Sequence, residues 1–308
     1  MSQLKRVKRS TRALFNKPYY KFEVQLTVLE NNYIFVGSAR DELAKVPDSV
    51  YEEKIDLDKK LEKIADLIKP MSSIILIEDE PYIPGSTLKG MIRFRVEHSF
   101  KQDKNGKIYS CFIKQAHPEI KENIKNFLIK FGYFPNEVEA RQNEDIRSDQ
   151  FCKVCDLFGN SNLASRVIIS DAKPLNEIKL EELNISEKWN DIRRVIPPKS
   201  QFKFTINLNN GDMEDLALLY LGMNLHNDGT LLLGMNKFAP KKNDKGQIIH
   251  FGRIKLELIK ILEFSNDKKG FSEKEISTPE EINNFNEKIL NEIKKFEDQL
   301  RNFSETSE

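Results

Sequence analysis

A chain of 308 residues has room for one elaborated domain or two smaller ones. With 39% hydrophobic and 31% charged residues it reads as a soluble globular protein with a highly charged surface. Lys and Arg total 49 against 48 Asp and Glu, so bulk charge says nothing about polyanionic partners and only local clustering can. No apolar run reaches the ~18–20 residues of a membrane span. The N-terminus lacks an apolar signal core, so a cytoplasmic location without membrane contact is expected. Three cysteines exclude a disulfide framework.

Residues 1–21 hold Lys5, Arg6, Lys8, Arg9, Arg12, Lys17 and Lys21 and no acid. They read either as a solvated terminus or as a basic arm for RNA or a neighbouring subunit. Phe22–Val28 alternates apolar and polar residues, the pattern of a strand with one buried face. Tyr33–Val36 is a second apolar run ending at Gly37-Ser38. Residues 39–70 are charged, with a helix over 55–68 carried by Leu57, Leu61, Ile64, Leu67 and Ile68. Ile74–Ile77 reads as a buried strand leading into Pro81-Tyr82-Ile83-Pro84-Gly85-Ser86-Thr87-Leu88-Lys89-Gly90. There Pro84 fixes its own φ, Gly85 permits a turn, and Ser86 and Thr87 can cap a helix running through Met91–Val96. Such a helix start gathers unpaired amides and partial positive charge and can seat a phosphate. It can equally be an ordinary strand–turn–helix junction.

Residues 101–150 read as a polar insertion with a helix near 119–131, and Val167–Ala172 as a strand. An acidic excursion over 175–192 is followed by Val195-Ile196-Pro197-Pro198 and the alternating strand Gln201–Leu208. A Leu-rich helix is expected over 212–226 and another alternating strand over 252–258. The tail, 266–308, reads as a separate helical unit. Thr278-Pro279-Glu280-Glu281 is a capping box with proline at the first helical position. Ile282, Phe285, Ile289, Ile293, Phe296, Leu300 and Phe303 then share one stripe, which either packs on its own domain or docks a partner. The order of elements predicts an α+β fold, a ferredoxin-like or RRM-like sheet with long insertions and a C-terminal amphipathic helix.

Cys152 and Cys155 have the CxxC spacing that lets two thiolates reach one tetrahedral metal ion. Cys111 and His117 complete a structural Cys₃His zinc set, with His98 competing as fourth ligand; unligated buried cysteines are the alternative. Gly159 permits close backbone approach, and Arg166 can grip a phosphate bidentately or hold a structural salt bridge. Gly229–Phe238 is a glycine-punctuated loop ending in Lys237 and Phe238. No Ser-His-Asp order, Walker loop, HExxH or GxGxxG context is present, and no carboxylate pair stands out, which leaves the common enzyme classes without support.

The 81–90 stretch resembles the IPGSSLKG signature of the RAMP family, the crRNA-binding backbone subunits of type III CRISPR effector complexes. Cys152-Lys153-Val154-Cys155-Asp156-Leu157-Phe158-Gly159, Ala164–Val167, Val195–Pro198 and Phe251-Gly252-Arg253 follow in the family's order, resembling its CxxCxLFG branch. The resemblance covers residues 22–258. It implies a hand-shaped domain over 22–265, with an insertion at about 101–156 and a thumb at about 172–195. Such subunits stack along crRNA, grip its phosphates and shape the guide–target duplex beside other RAMP subunits in antiviral defence. It makes Ser86, Lys89, Arg93, Arg166 and Lys237 the expected RNA contacts. Two positions depart from the family. Cutting members carry an aspartate in the loop before the apolar strand, where this chain has Ser72 and Ser73. Asp66 is the nearest acid, within the predicted helix. Gly234–Phe238 lacks the family's second glycine and arginine. A non-cleaving structural subunit is therefore expected, with a target-RNA-cleaving endoribonuclease subunit as the alternative.

Overall fold

The computed structural model describes residues 3–43, 56–61, 70–101, 103–105, 107–111, 150–160, 163–184, 192–235, 241–242, 246, 248–267 and 270–300. The main strands are β1 (Tyr19–Val28), β2 (Val167–Ile169), β3 (Gln201–Leu208), β4 (Thr230–Leu232), β5 (Arg253–Asp267) and β6 (Gly270–Ile276). The helices that matter are α1 (Gly85–Ser99), α2 (Lys153–Phe158), α3 (Met213–Met223) and α4 (Pro279–Lys294).

A seven-stranded sheet runs β2-β3-β1-β5-β4, with β6 beside β5 and Lys173–Pro174 beside β3. β2 and β1 are each antiparallel to β3, so they run parallel to one another and α1 is their crossover. β3 and β5 are each antiparallel to β1, and α3 lies in the crossover between them. Two interleaved β-α-β units are the ferredoxin-like arrangement. The alternation read in the sequence is seen directly. Tyr20, Phe22, Val24, Leu26 and Val28 are buried, as are Phe202, Phe204, Ile206 and Leu208, while the residues between them are half-exposed.

The helices cover the Tyr20 side of the sheet. α1 buries Leu88, Ile92 and Val96, one residue per turn, and leaves Ser86, Gly90 and Phe94 exposed on the opposite side. α3 is buried on nearly its whole circumference, as expected of a helix enclosed by the core. α4 has the expected capping box, and it buries Phe285, Ile289 and Ile293. Phe285 reaches both Tyr20 and Tyr220 across this layer. The stripe therefore packs on its own chain; Phe303 lies outside the described residues. The tail is not a separate unit either, because β6 extends the same sheet along residues 261–267 of β5.

Several local expectations are corrected. Pro84, not Ser86 or Thr87, is the N-cap of α1, and no side chain caps it; both hydroxyl residues lie inside the first turn. Ile74 is buried but Ile77 is 49% exposed, because the chain turns through left-handed Glu78 and Asp79 into a short hairpin, Leu76–Ile77 with Glu80–Pro81. Gly37–Leu43, read only as charged, is a strand. It joins Pro70–Ile74, Ile192–Val195 and Glu181–Asn184 in a second, four-stranded sheet. Two of those strands come from the stretch expected as a thumb. Of the helix expected over 55–68, residues 57–61 are helical, and the helix expected near 119–131 lies outside the described residues.

The basic N-terminus is neither frayed nor free. Arg6–Lys8 pairs antiparallel with Gln150–Cys152, and Gln3–Leu4 runs parallel to Lys107–Ile108. Farther along, the Asn210 amide donates to the Thr11 and Leu14 carbonyls and accepts from the Asn16 and Lys17 amides. The arm's backbone groups thus find partners in the body of the protein, which is the cheapest way to satisfy them.

Candidate functional site

The motifs separated in sequence meet at one corner, around the first two turns of α1. Gly85 is the pivot. A Cβ there would lie 2.2 Å from the Ile169 carbonyl oxygen, so only glycine lets α1 start against the end of β2. The Gly85 amide donates to Asp171 Oδ1 at 2.7 Å. A carboxylate thus occupies the first amide of the helix, and that amide is not an open phosphate seat. One turn on, Lys89 Nζ donates to the Val167 carbonyl at 2.9 Å. Burial, and then the Arg93 charge, lower its pKa from the usual lysine value. Arg93 holds three groups: Glu97 Oε1 at 2.8 Å, the Gly159 carbonyl at 2.6 Å and Cys155 Sγ at 3.4 Å. Gly159 has φ +81°, and a Cβ there would come within 2.7 Å of the Leu163 carbonyl oxygen. That close turn places its own carbonyl under Arg93. The solvent side of this corner is the exposed ridge of Ser86 and Gly90, with half-buried Lys89 beside it. A Cβ at Gly90 would meet nothing within 4 Å, so a ligand can approach the helix backbone closely there.

The three cysteines are brought together behind this ridge. Cys111 Sγ lies 3.3 Å from Cys155 Sγ and 3.4 Å from Cys152 Sγ, all three residues being buried. Four ligands arranged tetrahedrally at ~2.3 Å from zinc stand about 3.8 Å apart, so a small expansion separates this cluster from a metal-bound one. The set can hold a metal ion. Burial raises Cys152, but its hydrogen bonding with Cys111 and Cys155, including the Cys155 backbone amide that donates to its Sγ at 3.3 Å, holds it below the usual thiol range. Cys111 is pushed up by those same hydrogen bonds and then by burial. His98 does not join the sulfurs; its Nδ1 lies 2.7 Å from the Phe94 carbonyl oxygen, and no imidazole is part of the cluster among the described residues. His117 lies outside the described residues.

Arg166 corrects an expectation. It is fully buried and cannot meet an external phosphate. Its Nη1 and Nη2 donate to Asp215 Oδ2 and Oδ1, both at 2.7 Å, and Nη2 also donates to Asp156 Oδ2 at 2.8 Å. The Asn210 and Asp156 carbonyls take further donors at 2.9 and 3.3 Å. Arg12 Nη1 reaches Asp156 Oδ1 at 2.8 Å, and Lys153 Nζ reaches Asp215 Oδ1 at 3.2 Å. The cluster ties the N-terminal arm, α2, β2 and α3 together. Its acids had no signal in the sequence: Asp156 lies inside the CxxCxLFG stretch and Asp215 in a helical capping box, and only the fold brings them to one guanidinium.

Ser72 lies in the strand Pro70–Ile74, with Asp41 opposite it on one side and Arg193 on the other. The Arg193 guanidinium lies 4.7 Å from the Phe35 ring centroid, a cation–π pair that no local pattern announces. Asp66 and Lys237 lie outside the described residues. No described helix is long and apolar enough to cross a membrane. Compared with known families, residues 33–305 match the model of the RAMP superfamily. No curated protein matches the chain.

Proposed function

The chain belongs to the RAMP superfamily, which carries CRISPR-associated RNA binding as its function class. On that premise we propose that it is a crRNA-binding structural subunit of a type III CRISPR effector complex. The observation that supports this reading is the convergence of the 81–90, CxxCxLFG and Ala164–Val167 stretches on the α1 corner, under an exposed ridge of Ser86 and Gly90 with half-buried Lys89 beside it. Ser86 offers a hydroxyl, Lys89 a charge and Gly90 an unobstructed helix backbone, a set suited to phosphate oxygens rather than base edges. Sequence selection is then left to the guide itself. Arg93 acts as a positioning residue, holding α1 to Gly159 and the cysteines.

The subunit shapes the guide–target duplex without cutting it. Serines stand where cutting relatives carry an aspartate, and a serine hydroxyl is a poor general base or metal ligand at neutral pH. Cys111, Cys152 and Cys155 would hold a structural zinc, and His117 is the proposed fourth ligand. The role of such an ion would be structural: the thiolates it held would fix the corner that Arg93 braces through Cys155.

The reading is tested by fluorescence anisotropy of the full chain with a labelled single-stranded RNA across a salt series. Lys89→Glu is expected to weaken binding and to reduce the slope of log K against log salt by about 0.7 for each phosphate the protein no longer neutralises. An unchanged affinity and slope would sink the α1 ridge as the phosphate grip. Target-RNA cleavage by the assembled complex is expected to be the same with Asp66→Ala; loss of cuts at one register would make this a cutting subunit.

A further inference from the structure

Four aromatic rings form a row at one end of the sheet, on the face away from the helices. Phe15 and Tyr19 have ring centroids 6.3 Å apart, Tyr19 and Phe264 5.6 Å, and Phe264 and Phe271 6.0 Å. Tyr19 and Phe264 are direct cross-strand partners on β1 and β5. Their neighbour Tyr20 points the other way and packs on Phe285, which fixes the row on the open face. Phe15 is 58% exposed and Phe271 70%, although large aromatic side chains are ordinarily covered in a folded domain. The Tyr19 hydroxyl donates to Asn207 Oδ1 at 2.7 Å, so its ring is held in place from the adjacent strand β3.

We infer that this row is a second RNA contact, separate from the α1 ridge, on which unpaired bases of a single-stranded RNA stack. The inference rests on the RNA-binding reading above. The spacing of about 6 Å between successive rings is wider than the ~3.4 Å per nucleotide of a stacked strand, so each ring suits a base splayed from its neighbours. Every base has a π-face, so such a row is tolerant of sequence. The charges on this face favour a polyanion along one side of the row. Lys21 follows Tyr19 on β1 at the next outward position, and among the described residues no acid forms a salt bridge with it. The acids farther along the face, Glu23 and Glu275, are already taken up by Lys203 at 2.6 Å and Lys260 at 2.7 Å. Glu273 stands opposite Phe264 on β6, across β5 from Lys21.

The test compares the full chain with the double variant Phe264→Ala, Phe271→Ala and with the ring-preserving Phe264→Tyr, Phe271→Tyr, using the same labelled single-stranded RNA. The alanine pair is expected to weaken binding about tenfold or more while leaving the salt slope unchanged. The tyrosine pair is expected to bind as the parent does. Lys89→Glu changes the slope instead, so the two contacts are read separately. Photocrosslinking followed by peptide mapping is expected to place RNA on the peptides carrying Phe264 or Phe271. An alanine pair that folds, by its thermal unfolding curve, and binds RNA like the parent overturns the inference and leaves the α1 ridge standing. Loss of self-association or subunit assembly with RNA affinity intact also overturns it, and makes the row a protein interface. A parent chain that binds no RNA at all defeats the functional reading along with it.

Discussion

Replacing Arg166 by methionine tests how the α1 corner is held. The guanidinium is fully buried and serves both Asp215 oxygens, one Asp156 oxygen and at least two carbonyls. Removing one partner from a buried ion pair typically costs about 3–5 kcal/mol, because a charge is left behind without compensation. Here two carboxylates are left, but neither is abandoned. Asp156 keeps Arg12 at 2.8 Å and Ser10 at 2.9 Å, and Asp215 keeps Lys153 at 3.2 Å. These remaining partners place the expected loss near the low end, about 3 kcal/mol, or a fall in Tm of roughly 5–10 °C. Arg166→Lys is expected to recover only part of it, since one ammonium cannot span two carboxylates and the carbonyls between them. Urea unfolding of the three proteins at neutral pH measures the difference, and RNA anisotropy on the folded fraction supplies the control. An Arg166→Met protein within about 1 kcal/mol of the parent but defective in RNA binding would refute the structural role and restore Arg166 as a phosphate contact.

Two further outcomes are expected. Burial raises Asp156 and Asp212, yet the Arg166 and Arg12 guanidiniums on the first and Lys153 and Lys17 on the second outweigh it and hold both below the usual aspartate range. Depressed carboxylates contribute stability that is complete above the unfolded pKa of about 3.9 and is lost as pH falls through the folded values. Unfolding free energy should therefore be level from pH 7 to about 5 and drop below about 4, with a shallower drop in Arg166→Met; an identical acid limb would show that the cluster is not the source. For the cysteine centre, elemental analysis should find about one zinc per chain, lost in Cys152→Ser and on treatment with a strong chelator, with a lower Tm in both cases. A metal content that Cys152→Ser leaves unchanged would remove the sulfurs from the site.

The sheet was legible because its signal is local. Phe22–Val28 and Gln201–Leu208 alternate strictly, and a side-chain period of two with one buried face has only one structural reading. α4 was legible for the same kind of reason: Thr278, Pro279 and Glu281 mark its start and the Ile and Phe spacing marks its stripe. Gly37–Leu43 and the strands on either side of residues 185–191 were not legible, because they are charged and rely on partners from distant parts of the chain. In the sequence α1 reads as starting slightly late because Ser86 and Thr87 look like caps, whereas the real constraint is a close approach between Gly85 and β2 that no local pattern encodes.

The functional residues divide along the same line. Sequence by itself marked out the candidate segments, namely the 81–90 turn, the CxxC pair and the order of the later motifs, because each carries residue types with restricted backbone or ligand chemistry. It also determined that the stretch before Ile74 carries Ser72 and Ser73 and no acid. Only the tertiary structure decided what each side chain is free to do. Arg166 and Lys89 are both cations beside family motifs, yet one is enclosed by Asp156 and Asp215 while the other lies at an exposed ridge. The same holds for Cys111, which reaches the CxxC pair across 41 residues of sequence. Phe15, Tyr19, Phe264 and Phe271 likewise become a row only when β1, β5 and β6 are laid side by side. Burial and long-range proximity are properties of the packed chain, and no spacing within the sequence contains them.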